Sequence, residues 1–346
     1  TFARRMPVVT LKDIAQEANV SVMTVSNVVN GNLSKVSKEK AAQIQEIIRR
    51  RNYVQNASAR NLAKANSNIV AIMLRNIGNE NALSGPHNAA LVGQMIRLLQ
   101  EGGFYAMVSL VENKADIAKT LRAWNVRGAV FLGMFDDEIE QIYAASKAPM
   151  VFVDSYSNVR RICSVGIDDY RGGRLAARCL IDHGHVRLAF AGPAQRATGV
   201  IQQRLAGFMD ELTAHGLSLE PKHRIVVESD NDPQAISAAT DALCAMAGSI
   251  TGVFVTSDQL AMGLMGALAE RGISIPRDMS IIGFDNIPVS GQIYPPLAAS
   301  GQCLEQKATL AIEILQRQIE CRDTPAEVRV LDVELIERAT VSAPRT

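Results

Sequence analysis

A chain of 346 residues, 47% apolar and 21% charged, has the composition of an ordinary globular protein of two or three domains. It holds no run of 18 apolar residues and no apolar leader near its start, so neither a membrane span nor a signal peptide is expected, and the expected compartment is the cytoplasm. The net charge of +1 hides an asymmetry: residues 1–66 carry 11 Lys/Arg against 4 Asp/Glu, so a head of +7 precedes a body of −6, which points to a polyanionic partner or to a merely solvated basic tail.

The head reads as three short helices. Thr10 is placed to cap a helix over 11–18, with Asp13 three positions on as its capping-box partner. Asn19 suits the left-handed turn that follows. Ser21 is placed to cap a second helix over about 22–30, with Val25, Val28 and Val29 inward and Val22, Met23, Ser26, Asn27 and Asn30 outward. Asn30-Gly31 ends it. A third helix runs from Ser37 to about Arg51 on a stripe of Ala41, Ile44, Ile47 and Ile48. Two helices joined by a tight turn and braced by a third form a helix-turn-helix pattern, or an ordinary helical hairpin.

Beyond a polar linker at 64–68, apolar runs recur at 69–74, 105–111, 128–132, 149–153, 187–191, 224–228, 252–256 and 279–284. Helical patterns of 11–16 residues separate most of them, and 304–320 is a further amphipathic segment before an apparent last strand over 329–338. This alternation argues for parallel sheets with helices on both faces. More than 270 residues is large for one such sheet, so two doubly wound subdomains are expected. The boundaries are placed at roughly 69–163 plus 297–325, and 164–296 plus 326–346.

The residues also resemble a family. Val9–Ala15, Val20–Gly31, Val36-Ser37, Asn52–Val54 and Asn56–Leu62 are similar to the head and hinge of LacI/GalR-type bacterial repressors. The likeness continues through Val165–Asp169, Asp182–His185, Arg204–Phe208, Ile282–Asp285 and Pro295–Leu297. It implies an all-α helix-turn-helix DNA-binding domain (1–54), a hinge helix and linker (55–68) and an effector-binding and dimerisation domain (69–346) of periplasmic-binding-protein type. It also implies a near-palindromic double-stranded operator, a homodimer and a small-molecule effector, with no membrane partner.

The resemblance places Val22 and Met23 at the positions that vary operator choice. Thr10, Ser21, Thr24, Ser26, Asn27 and Asn30 join them at phosphates or base edges, Tyr53 and Asn56 at the backbone, and Ala59 and Leu62 in the hinge. Leu62 matches the residue that wedges into the minor groove, and an apolar wedge there kinks the duplex. Three departures stand out. Asn27 replaces an arginine, which removes an arginine–guanine contact and favours adenine. Gln55 replaces a proline, which loosens the hinge, and Ser257 replaces an asparagine in the body.

Ligands of open α/β sheets bind beyond the carboxyl ends of strands. Polar residues expected there are Arg75, Asp154, Asp168, Ser257, Asp258 and Asp285, with Arg204 in a helix and Gln302 after 297–301. The resemblance matches Arg75, Asp154, Arg204, Ser257, Asp285 and Gln302 to effector contacts, whereas Asp168 and Asp258 read as helix caps. Carboxylates and an arginine suit sugar hydroxyls, and two arginines in one cleft point to a sugar acid or phosphorylated sugar.

No catalytic residue, cofactor or metal is expected. Phosphate-binding glycine motifs and the nucleophile-elbow motif are absent, the five cysteines form no Cys-x-x-Cys pair, and His183 and His185 read as surface residues. A ligand-regulated transcription factor, most simply a repressor, leads the readings. A sugar-binding transport protein would need export and no basic head, and a sugar-active enzyme would need an acid–base pair.

Overall fold

The computed structural model describes residues 9–53, 67–76, 81–112, 114–157, 161–194, 196 and 198–345. The chain divides into two units, Thr1–Ser67 and Asn68–Thr346. In the first, α1 (Leu11–Glu17), α2 (Val22–Val29) and α3 (Lys38–Arg50) enclose a core of Ile14, Ala15, Ala18, Val25, Val28, Ala41, Ile44 and Ile47. Local chemistry sets each boundary. Thr10 and Asp13 form a reciprocal capping box, and the Ser21 and Ser37 hydroxyls accept the Thr24 and Lys40 amides. Asn19 takes φ +48 between α1 and α2, and Gly31 takes φ +78 after α2.

The second unit holds two six-stranded sheets of the same winding. The first has the order β11-β5-β4-β3-β1-β2, from β1 (Ile69–Arg75), β2 (Tyr105–Val111), β3 (Gly128–Leu132), β4 (Met150–Val153), β5 (Ser164–Ile167) and β11 (Val328–Leu331). The second has the order β12-β10-β9-β8-β6-β7, from β6 (Leu188–Gly192), β7 (Arg224–Val226), β8 (Gly252–Val255), β9 (Ser280–Asp285), β10 (Ala298–Gly301) and β12 (Glu334–Ile336). All ladders are parallel except the β10–β12 edge pair, as in Ala299 opposite Ile336. In each sheet the chain starts in an inner strand, adds one neighbour, then crosses to the other side, so β1/β3 and β6/β8 are switch points.

Strands covered on both faces read as continuous apolar runs. α4 (Pro86–Glu101) and α11 (Leu304–Glu320) cover one face of the first sheet, and α5 (Lys114–Ala123) and α6 (Asp136–Ala145) the other. On the second sheet, α7 (Asp169–Asp182) and α8 (Val200–Ala214) face α9 (Pro233–Ala245) and α10 (Asp258–Glu270) across the strands. Among the described residues no helix is long and apolar enough to cross a membrane.

Two expectations change. The segment 164–167 belongs to the first sheet and 298–301 to the second, so the chain crosses between subdomains near 168, 302 and 332 rather than at 163, 297 and 325. The expected last strand over 329–338 is two short strands, because the chain leaves the first sheet after Leu331 and pairs with the second from Glu334.

Candidate functional site

In the head, the α2 surface opposite the core is bare. Met23 is 73% exposed and Val22 41%, the reverse of what a buried apolar stripe shows. Ser21 and Asn30 are exposed, and Thr24, Ser26 and Asn27 partly so. The Ser21 and Thr24 hydroxyls lie 2.9 Å apart, and Asn30 Nδ2 donates to Ser26 O at 2.7 Å and Ser26 Oγ at 3.1 Å, so these polar side chains hold one another across the helix surface. Thr10 stands at the start of α1, where its hydrogen bonds hold the Asp13 carboxyl below its usual range. Arg51 Nε donates to Glu17 at 2.8 Å and Arg50 pairs with the same carboxylate, tying α3 to α1. Tyr53 packs against the head core, and burial raises its phenol pKa. Asn56, Ala59 and Leu62 lie outside the described residues.

In the body, the residues just past the carboxyl ends of both sheets meet. Asp154, after β4, and Asp285, at the end of β9, hold φ of +51 and +113, values that side chains other than glycine rarely adopt. Such strain gathers at functional positions. His87, in the first turn of α4, stands between them, with Nε2 3.7 Å from Asp154 and Nδ1 3.5 Å from Asp285. Gln302, in the crossover after β10, donates to Asp285 Oδ1 at 2.6 Å. Lys307 of α11 donates to Asp154 at 2.6 Å and also contacts Gln302 Oε1. Burial works to raise the Asp154 pKa, but Lys307 and His87 outweigh it and hold the carboxyl well below the usual range.

Arg204 completes the junction. Its guanidinium lies 3.5 Å from the Phe284 ring centroid and donates to Asp169 at 2.7 Å and Thr256 O at 2.6 Å. Tyr156 Oη, from the first subdomain, lies 2.5 Å from Asp169. Burial raises the Asp169 pKa and Arg204 opposes that rise. Ser257 caps α10 and donates to Asp230 at 2.6 Å. Asp168 caps α7, whereas Asp258 is wholly buried and accepts from the Ile287 amide at 2.9 Å and the Ser290 hydroxyl.

The structure therefore brings Asp154, Arg204, Asp285 and Gln302 together, and adds His87, Lys307, Asp169 and Tyr156, which the sequence reading missed. Arg75 is different. It donates to Glu138 at 2.9 Å and lies over the Phe135 ring, so it is not a spare cation. Arg204 is likewise paired with Asp169, so the two arginines no longer point to an anionic effector. His185 is also corrected: it is buried, between Thr251 Oγ1 at 2.8 Å and Ser342 O at 2.9 Å. Among the described residues no group of three or more His, Cys, Asp or Glu is arranged to hold a metal ion.

Comparison with known proteins agrees with this architecture. Residues 10–56 match the family of bacterial regulatory proteins of lacI type, and 177–341 match a periplasmic binding protein-like domain. The chain is 28% identical to the HTH-type transcriptional repressor PurR of Vibrio cholerae, over 96% of this chain and 98% of that one. It is 27% identical to the ribose operon repressor of Haemophilus influenzae, over 96% and 98%. Among solved structures, the lac repressor dimer bound to operator and the anti-inducer ONPF superposes with a TM-score of 0.82, at 26% identity, over 97% of this chain and 99% of that one. The head is thus a lacI-type DNA-binding domain and the body a periplasmic binding protein-like domain, the layout of the LacI-family transcriptional repressors to which the chain is similar along nearly its whole length.

Proposed function

We propose that the chain acts in the cytoplasm as a homodimeric repressor that grips a near-palindromic operator with two heads and is switched by a sugar-class effector at the junction of its two sheets. The observation that carries this reading is the junction itself, where Asp154 and His87 from one subdomain face Asp285 from the other across Gln302. Hydroxyls both donate and accept, and this mixture of carboxylate, amide, imidazole and guanidinium groups matches that need. The lac repressor's operator and anti-inducer, and the ribose operon repressor's name, support the same assignment.

The head supplies two kinds of contact. Its charge of +7 over residues 1–66 gives salt-dependent affinity for phosphates. In the major groove, Val22 and Met23 suit thymine methyls and the Asn27 amide suits adenine, while Ser21, Thr24, Ser26 and Asn30 hold the register. An effector that favours one arrangement of Tyr156–Asp169 and His87–Asp285 across the junction changes the angle between subdomains. That change passes into residues 55–68, where two hinge segments pair on DNA and Leu62 wedges the minor groove.

The test selects operators from random duplexes with the full chain, then measures affinity across salt with and without neutral sugars, sugar acids and sugar phosphates. The expected result is a near-palindromic consensus and a tenfold or larger change with at least one compound. If no duplex is preferred over random competitor under any of these conditions, the reading fails.

A further inference from the structure

Lys307 is completely buried, on the inward face of α11 beside Ala308, Ala311 and Leu315. Lysine is almost never buried in this way unless it is paired. Its partner is Asp154, at 2.6 Å, and its second contact is the side-chain oxygen of Gln302. A methionine would fill the same space without desolvating an ammonium, but would leave Asp154 facing the junction without its ammonium partner.

Two other cations near the junction are matched by carboxylates. Arg75 is matched by Glu138 at 2.9 Å and Arg204 by Asp169 at 2.7 Å. Arg196 is exposed, its guanidinium 4.3 Å from the Phe135 ring centroid. Asp285 faces the Gln302 amide and the His87 imidazole, and Asp230 faces the Ser257 hydroxyl. An anionic ligand would enter beside Asp285 and compete with cations that already hold carboxylates. A cationic ligand would find Asp154 already occupied by Lys307.

We infer that Lys307 sets the charge selectivity of the effector site: by holding Asp154, it fits the site to an uncharged polyhydroxyl ligand and removes one of the carboxylates that would hold an amino sugar. This inference rests on the reading of the junction as the effector site. It makes Lys307 a positioning residue, acting on the ligand through the Asp154 carboxylate.

The test uses the full chain and measures binding by calorimetry for matched sets of common hexoses, such as glucose, glucosamine and glucuronic acid, or galactose, galactosamine and galacturonic acid, with ribose and other neutral pentoses added. Wild type is expected to bind a neutral sugar at least tenfold more tightly than its acid counterpart. Lys307→Met is expected to shift the neutral-to-amine ratio at least tenfold toward the amine. Lys307→Gln, which keeps a hydrogen bond to Asp154 without the charge and perturbs packing less, is expected to shift it in the same direction. Lys307→Arg is expected to restore the wild-type order. Adding Asp154→Asn to Lys307→Met is expected to abolish the gained amine preference. A purely structural lysine would instead lower all affinities in parallel. A wild-type preference for the acid, or an unchanged ratio in whichever of Lys307→Met and Lys307→Gln folds, overturns the inference and leaves the effector site standing. Absence of binding by every sugar overturns both.

Discussion

Gly207 of α8 lies so close to the Tyr170 carbonyl of α7 that a methyl group on it would overlap that oxygen, and Gly173 approaches the Arg204 carbonyl in the same way. The two helices are in backbone contact at both points, and Arg204 sits one turn before Gly207 with its side chain fixed on Asp169 and over Phe284. Overpacking such a contact costs about 1–3 kcal/mol and sometimes more. Gly207→Ala is expected to lower the Tm of the body by several degrees, at roughly 2–4 °C per kcal/mol for a domain of this size. Effector affinity is expected to fall with it, because separating the helices moves Arg204. An unchanged Tm in thermal unfolding would show that the helices can part freely.

Much of this architecture is legible in the sequence, for reasons that can be named. The capping box at Thr10 and Asp13, the inward Val25 and Val28 and the outward Met23 follow from side-chain chemistry and helical period alone. The long strands show themselves as apolar runs because both of their faces are covered. What escapes are β5 and β10, and the break that divides 329–338 into β11 and β12: Ser164–Ile167 and Ala298–Gly301 are short and carry serine and glycine, and only the tertiary pairing decides which sheet they join. In the site, Arg204, Asp154 and Asp285 were found by their place after strands or by resemblance. Lys307 was hidden inside an amphipathic helix, although its position four residues before the buried Ala311 put a charge on the inward face and was the available signal. The pairing of Arg75 with Glu138 spans 63 residues, beyond any local pattern.

Asp258 makes stability depend on pH. Burial, aided by the charge of Asp285, pushes its pKa up to about 7, against hydrogen bonds from Ser290 and Ile287 that pull the other way. The folded chain thus keeps a proton that the unfolded chain releases near pH 4, so this group costs stability as pH rises from about 4 through about 7. Asp258→Asn keeps the acceptor for Ile287 and Ser290 and removes the titration. It is expected to be more stable than wild type at pH 8, by on the order of 2–4 kcal/mol, with little difference at pH 4. Denaturant melts at the two pH values check this, and an equal gap at both would assign the effect to packing.

Ser21 ties sequence to stability in the head. Its hydroxyl accepts the Thr24 amide at 3.1 Å and closes the exposed first turn of α2. Ser21→Ala is expected to cost about 1 kcal/mol. Hydrogen exchange of the α2 amides in the full chain measures it locally, and protection equal to wild type would show that the cap contributes nothing there.

Met23 separates recognition from folding. A side chain that is 73% exposed contributes little to the core, so Met23→Ala is expected to change stability by no more than about 0.5 kcal/mol. If Met23 reads a base edge as proposed, the same change removes an apolar contact there. Affinity for the wild-type operator is expected to fall by about 1–3 kcal/mol, the range of one mismatched base pair. Selection with the variant is expected to change the preferred base at one symmetric pair of positions, with thymine losing ground. Because methionine carries no charge, the slope of log affinity against log salt is expected to stay that of wild type. Equilibrium binding at several salt concentrations distinguishes this from a phosphate contact, whose loss would weaken all duplexes alike and flatten the slope. An identical consensus from the variant would remove Met23 from the reading surface and leave Val22 and Asn27 to carry it.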